Sequence, residues 1–528
     1  MKKTACAKWD RILPWLVLAA ALAFSIGIYA HSGRHNLDAD MSSELVLAKL
    51  LNDEGRLLTD SWYYSTELRI LSPVPLYQLG LMLFDSWHAA RMFAVTVVLL
   101  AFVASVLYMT RAMGLYQAGV YAAAALVLPL SHYYALLMTF GVFYTPYVTL
   151  AFVLIGLTLR LDEAKGRVRR FALLLLLSFW GGLMGVRLLM QCAAPLALAA
   201  TLAMIGRARQ CESVREAART EQSAMFAGAA VIGIAMLAGY LVNHLVLSRM
   251  FDFADYSDSP LKPLSVSDFL KQIESIVQYL GLRGNRAMLS LGGAADMAAI
   301  AVMTLIGAGL WAMLTGRVPC GVRVRFVAIF TACALVLGML VSSMITGAAG
   351  YYMTAFVMAV ISAFVFLEVL PCRLAPLRAA MLLALVMVFG LEAQSFVSAE
   401  VRTGDANYEE VADWLVENGY TQGFATFWNG NLLTEASDGR LEVYVFDQWE
   451  DAGLFKWLQK KSHWTQLPEG KVFVFIEGVE LGSDPTILAQ ADHLAAELTG
   501  GYIYTYDSAE EVMELQRENS ARRSGASK

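Results

Sequence analysis

Residues 91–110 read RMFAVTVVLLAFVASVLYMT: one arginine, then no charged side chain from Met92 to Thr110. Twenty residues of α-helix rise about 30 Å, the thickness of a bilayer's hydrocarbon core. The stretch therefore predicts a membrane-spanning helix. Similar runs lie on both sides of it: Ile12–Ala30, Tyr116–Leu130, Gly141–Leu159, Phe171–Gly185 and Cys192–Ile205, then Ala224–Val246, Gly293–Leu314, Phe326–Ile345, Tyr351–Leu370 and Leu377–Ser395. Together they predict about eleven transmembrane helices. Composition agrees, with 58% of the 528 residues hydrophobic, 16% charged and a mean hydropathy of +0.53. That is too apolar for a soluble chain. No basic block or glycine-rich nucleotide signature is present, which argues against a nucleic acid partner.

Charge orients the spans. Lys2, Lys3, Lys8 and Arg11 precede the first, whose apolar length exceeds that of a signal peptide and reads as an uncleaved helix. Alternate connections hold Arg111; Arg160, Lys165, Arg167, Arg169 and Arg170; Arg207, Arg209, Arg215 and Arg219; Arg317, Arg323 and Arg325; and Arg373 and Arg378. The opposite connections are about twice as long in total and carry roughly half as many basic residues. The expected topology is a multi-pass protein of the cytoplasmic (plasma) membrane, N-terminus inside and C-terminal domain outside.

The expected organisation is a membrane domain over residues 1–398, a soluble α/β domain over 399–518 and a polar, disordered tail over 519–528. Two large outer loops, 31–90 and 247–292, interrupt the membrane domain. In the second, Phe269, Ile273, Ile276 and Val277 recur at helical spacing, so Val266–Tyr279 reads as an amphipathic helix on the membrane surface or packed on the other loop. After Ser395, helices are expected at Tyr408–Glu417 and Ile487–Leu498. Strands are expected at Gly423–Trp428, Leu441–Phe446, Val472–Ile476 and Tyr502–Tyr506. None of the six cysteines falls in the outer loops or the tail, and their spacings match no zinc site.

The first outer loop holds the candidate chemistry. Asn36-Leu37-Asp38-Ala39-Asp40-Met41-Ser42-Ser43-Glu44 opens a helical run, Leu45–Leu51. With Asp40 as its cap, Asp40 and Glu44 lie four residues apart on one side and Asp38 enters from an extended segment. Three carboxylates in one place suit a general base or a divalent metal site. Acidic residues favouring the positive end of a helix give the same pattern. Further on, Trp62, Tyr63, Tyr64 and Glu67 offer rings and a carboxylate suited to sugar stacking and hydroxyl recognition; an interfacial aromatic belt is the alternative.

Asp38-x-Asp40 just after the first span, with the Trp62-Tyr63-Tyr64 stretch in a long outer loop, resembles the type C glycosyltransferases. These are the membrane enzymes related to protein O-mannosyltransferases and lipid A aminoarabinose transferases. The resemblance covers roughly Met1 to Ser395 and implies a polyprenyl-phosphate-linked sugar donor and a glycan, lipid or surface-polymer acceptor outside the cytoplasmic membrane. It implies Asp40 or Asp38 as the base, with Glu44 assisting, in an inverting displacement. The leaving phosphate needs a basic residue, for which Arg187 is the first candidate and Arg283 and Arg286 the second. One position departs from the family: an Arg-Tyr pair at the outer start of a late helix is here Gly350-Tyr351-Tyr352. Tyr351 and Tyr352 are then expected to line the lipid-sugar cavity. No cofactor is required, with a divalent cation as the open alternative. Two other functions fit the architecture: a lipid-sugar flippase or transporter, and a non-enzymatic envelope assembly protein. A transporter calls for ionisable residues at mid-membrane and paired halves, which the spans do not display.

Overall fold

A computed structural model describes residues 2–65, 68, 70–213, 216, 220–253, 262–283, 286–345, 349–371, 375–399, 407–447, 453–483 and 488–526. The chain divides into two compact units. One comprises Met1–Gly27, Thr96–Leu247 and Tyr256–Ala399; the other comprises Ile28–Val95, Ser248–Asp255 and Glu400–Lys528. The first outer loop therefore groups with the C-terminal segment.

In chain order the main elements begin with α1 (Lys2–Ser32), α2 (Ala39–Glu54), β1 (Trp62–Tyr64), α3 (Val74–Leu83), α4 (Trp87–Ala112) and α5 (Tyr116–Leu126). They continue through α6 (Thr145–Thr158), α7 (Arg167–Gly182), α8 (Ala194–Ala208), α9 (Glu221–Leu245), β2 (Asp252–Phe253), α10 (Val266–Tyr279) and α11 (Leu291–Thr315). Then come α12 (Val322–Met344), α13 (Met353–Val369) and α14 (Ala375–Ala399).

Every apolar run read from the sequence contains a helix, and among the described residues eight helices are long and apolar enough to cross a membrane. The other three expected spans are shorter: α5 has 11 residues, α6 has 14 and α7 has 16. At 1.5 Å per residue they rise only about 16–24 Å. Local backbone bounds two of them. Val142 takes a positive φ of 49° ahead of α6, and Gly185 takes one of 84° after α7. Helix α7 meets α9 backbone to backbone: a Cβ on Gly239 would sit 2.1 Å from the Phe179 carbonyl oxygen, and one on Gly182 2.0 Å from that of Met236. Small residues permit this approach, which supplies close packing where lipid offers no hydrophobic drive. At one end of the unit, Arg323 Nη2 donates to both carboxylate oxygens of Asp162 at 2.9 Å.

Helix α10 has the bounds that its apolar spacing predicts, and Ser265 caps it by accepting from the Asp268 N–H. Ile276 and Tyr279 are buried within the unit, while Leu270 and Ile273 remain exposed.

The second unit ends in an α/β domain: α15 (Tyr408–Glu417), β3 (Gln422–Thr426), α16 (Phe427–Ala436), β4 (Glu442–Phe446), β5 (Gln459–Lys460), β6 (Val472–Glu477), β7 (Leu494–Leu498), β8 (Gly501–Tyr506) and α17 (Ala509–Ala526). Its five-stranded sheet has the order β4-β3-β6-β8-β7, with β4, β3 and β6 parallel and β8 and β7 antiparallel. Successive side chains alternate faces. Val472, Val474 and Ile476 join Phe424, Phe446 and Tyr506 on one side; Phe473 and Phe475 join Val411, Leu415 and Ile503 on the other. Both faces are buried, which accounts for the nearly continuous apolar run of β6.

Two expectations fail in this domain. The segment expected as a helix to Leu498 has a strand at Leu494–Leu498, paired antiparallel to β8. Its Leu-Ala-Ala-Glu-Leu composition favours helix, but pairing to a free sheet edge overrides that propensity. The expected disordered tail is helical as far as Ala526, because α17 continues through residue 519 with Gln516 and Asn519 buried. A further small sheet escapes sequence reading: β1 lies between β2, parallel to it, and β5, antiparallel to it. Strands of two or three residues leave no periodicity to detect.

Candidate active site

Helix α2 forms because an acceptor side chain precedes a run of leucine and alanine, and it stops at Gly55, which takes φ 64°. The cap is Asp38, two residues before the expected position. Its extended backbone lets Oδ1 accept from the Asp40 N–H at 3.0 Å. Asp40 lies in the first turn instead, where Ser43 Oγ donates to its carbonyl at 2.6 Å. Burial and the neighbouring Asp40 charge push the Asp38 carboxyl up to about 6, against the pull of the Asp40 and Met41 backbone N–H groups and of Arg91. Glu44 is buried one turn on.

Arg91, at the start of α4, fixes this helix in place. Its guanidinium is fully buried and bonds both oxygens of Glu435 on α16, with Nε–Oε1 at 2.6 Å. It also donates to the Met41 carbonyl at 3.0 Å and the Tyr77 hydroxyl at 3.2 Å. One arginine thus ties the first turn of α2 to α3 and α16, and its charge is balanced by Glu435. Sequence reading missed this pair because 344 residues separate the partners. The signal was an arginine opening an otherwise uncharged span, which needs an acid to accompany it.

The aromatic stretch separates into two kinds of residue. Trp62 and Tyr64 are buried on β1, and the Tyr64 hydroxyl donates to the Thr59 carbonyl at 2.9 Å. Tyr63 is half-buried, edge-on to Trp464 at 4.8 Å, with Lys456 and Lys461 near its ring. Of the three, Tyr63 keeps the most accessible ring. Glu67 lies outside the described residues.

In the other unit, Arg187 stands half-buried over the rings of Tyr144 and Tyr147, 5.3 and 5.7 Å from their centroids. The following turn is tied to the next candidates: Gln191 donates to the Gly350 carbonyl at 3.3 Å and accepts from Thr354 at 2.8 Å. Tyr351 is half-buried. Tyr352 is buried, its ring 5.7 Å from that of Tyr279. Arg286 faces Asp296 at 3.5 Å and donates to Ser395 at 3.0 Å, and the Arg283 backbone N–H donates to the same carboxylate at 3.0 Å. Asp296 therefore offsets much of the charge expected to meet a phosphate there. Among the described residues no group of three or more His, Cys, Asp or Glu side chains is arranged to hold a metal ion.

The chain aligns with ArnT from Cupriavidus metallidurans bound to undecaprenyl phosphate at a TM-score of 0.60, over 93% of this chain and 98% of that one. The chain has the type C glycosyltransferase fold. The apo state of the same ArnT aligns at a TM-score of 0.59 over 96% and 99% of the two chains. Identities are 11% and 12%, so the likeness is one of fold. No protein-family model and no curated protein matches the sequence.

Proposed function

We propose that this protein is an inverting glycosyltransferase that moves a sugar from a polyprenyl-phosphate-linked donor to a cell-envelope glycan, lipid or surface polymer. The observation that carries the reading is Asp38: a carboxyl pushed up to about 6 at the head of a rigidly held loop helix, in a chain with the type C fold. The undecaprenyl phosphate held by the similar ArnT supports a polyprenyl-phosphate donor.

In this reading Asp38 takes the proton from an acceptor hydroxyl while that oxygen bonds to the anomeric carbon. The bond from that carbon to the phosphate oxygen breaks with inversion, and the electron pair leaves on polyprenyl phosphate. A base with a pKa close to the operating pH is both ionised and a strong proton acceptor. Burial and Asp40 keep Asp38 raised, and the Glu44 carboxyl lies buried one turn further on. Arg187 is proposed for the donor phosphate, because Arg286 is already offset by Asp296. Tyr63 is proposed for sugar contact. Transfer on the outer face rests on the alternating basic connections.

The test supplies the purified protein in vesicles with a polyprenyl-phosphate-linked sugar and an envelope lipid extract. The expected products are free polyprenyl phosphate and an extract component bearing the sugar with inverted anomeric configuration. A donor that moves between leaflets without cleavage would establish the flippase instead.

A further inference from the structure

A cavity of about 290 Å³ opens among the end of α8, the start of α9 and the start of α12. Its walls join two chemistries. Leu202, Phe326 and Ile329 are apolar, whereas Arg207, Arg325, Gln210 and Gln222 present hydrogen-bond donors. Among the described residues no acidic side chain lines it. Arg207 has Glu216 beside it at 3.9 Å, a loose contact between two partly exposed side chains. Among the described residues Arg325 has no carboxylate within ion-pair distance, and its guanidinium lies against Gly316, after the last turn of α11. The position matters as much as the charge. Helices α8, α9 and α12 belong to segments long enough to cross a bilayer, so their ends lie at a membrane–water boundary. Leu198, Leu202 and Ile205 on α8 and Val322 on α12 are exposed beside the opening, as lipid-facing side chains are. The α12 N-terminus adds partial positive charge, and Gly321 before it supplies no capping side chain.

We propose that this cavity binds the phosphate headgroup of an anionic membrane phospholipid, separately from the donor site, with Arg207 and Arg325 on the phosphate and the acyl chains along α8. Free phosphate would meet the arginines but gain nothing from the apolar rim. Basic pockets between helix ends recognise phospholipids in this way. The site bears on how the protein is held in its membrane and does not depend on the transferase reading.

Cys320 lines the cavity and reports on it, while half-buried Cys211 serves as an internal reference outside its walls. The full chain is placed in vesicles of phosphatidylcholine alone or with added phosphatidylglycerol, and alkylation of each cysteine by iodoacetamide is followed by peptide mass spectrometry. Phosphatidylglycerol should slow Cys320 roughly three- to tenfold relative to Cys211, as expected when charge-assisted hydrogen bonds hold a headgroup there. Combining Arg207→Gln with Arg325→Gln should restore the phosphatidylcholine rate. Inorganic phosphate added to phosphatidylcholine vesicles should not protect; protection by it alone would replace the lipid with a free anion. A Cβ at Gly206 meets open space, and leucine favours helix over glycine, so Gly206→Leu should fold and block the cavity. Phosphatidylglycerol should then be lost from its native mass spectrum. Equal Cys320 rates in both vesicles, or full lipid retention by Gly206→Leu, would overturn the proposal.

Discussion

Two loop helices start alike and shift the acidity of their carboxyls in opposite directions. Asp38 caps α2, and Asp268 lies in the first turn of α10; both sit where a helix dipole favours negative charge. Asp268 is in water, with the Ser265 hydroxyl donating to it at 2.7 Å and Lys271 at 3.1 Å, and these hold it below the usual carboxylate range. Asp38 receives backbone N–H groups as well, yet burial and the Asp40 charge push it up to about 6. A helix N-terminus alone therefore does not set the acidity of a carboxyl. Burial and the sign of the neighbouring charge decide it, and only Asp38 is driven towards the range of a working base.

The comparison is tested most severely at Asp38 itself. Asn caps a helix about as well as Asp, so Asp38→Asn should accumulate normally while transfer per molecule falls about 10²–10⁴-fold. Its stability should move the other way. A carboxyl whose pKa is raised by folding stabilises the fold at low pH and loses that contribution as pH rises through about 6. Thermal unfolding at pH 8 should therefore show Asp38→Asn at least as stable as the parent. Marked destabilisation there would make Asp38 a structural cap.

The platform beneath Asp38 comes next. Arg91→Ala leaves Glu435 buried without its cation, at a cost of about 3–5 kcal/mol in unfolding free energy. Replacing the pair together, Arg91→Met with Glu435→Leu, should recover much of that stability. No recovery would mean that the Met41 and Tyr77 contacts matter more than charge pairing.

Smaller effects are expected at Arg187. A charge-assisted hydrogen bond is worth about 1.5–3 kcal/mol, so Arg187→Ala should reduce donor use by one to two orders of magnitude. Arg187→Lys should recover only part of it, since Lys lacks the planar fork. Unchanged donor kinetics in both variants would leave Arg187 as packing for Tyr144 and Tyr147. Smallest of all is Asp268→Asn, which should leave transfer and melting temperature where they were. A large loss there would erase the distinction between the two helices.

Much of this architecture was legible in the sequence because its driving force is one-dimensional. Long uncharged runs became helices, and α10 and α15 took the bounds their spacing predicts. The acidic loop was legible as chemistry, but its cap was read two residues late. Asp38 and Asp40 are equally good capping residues, and only the path of the chain chooses between them. The remaining differences are tertiary. Leu494–Leu498 becomes a strand through a partner that no local propensity announces. Trp62 and Tyr64 look like a sugar platform in sequence, yet β1 pairs on both edges and both side chains are buried. The Arg91–Glu435 pair joins distant segments and becomes visible only once the second unit has folded.

The most direct test of the central claim is the rate of single-turnover transfer from a polyprenyl-phosphate-linked sugar, measured across pH for the parent protein and Asp38→Asn. If Asp38 is the base, its ionised form is the active one. The parent rate should then be constant above neutrality and fall as pH drops through about 6, with Asp38→Asn low and flat throughout. An Asp38→Asn protein that transfers at the parent rate, with the same fall through pH 6, would contradict the account.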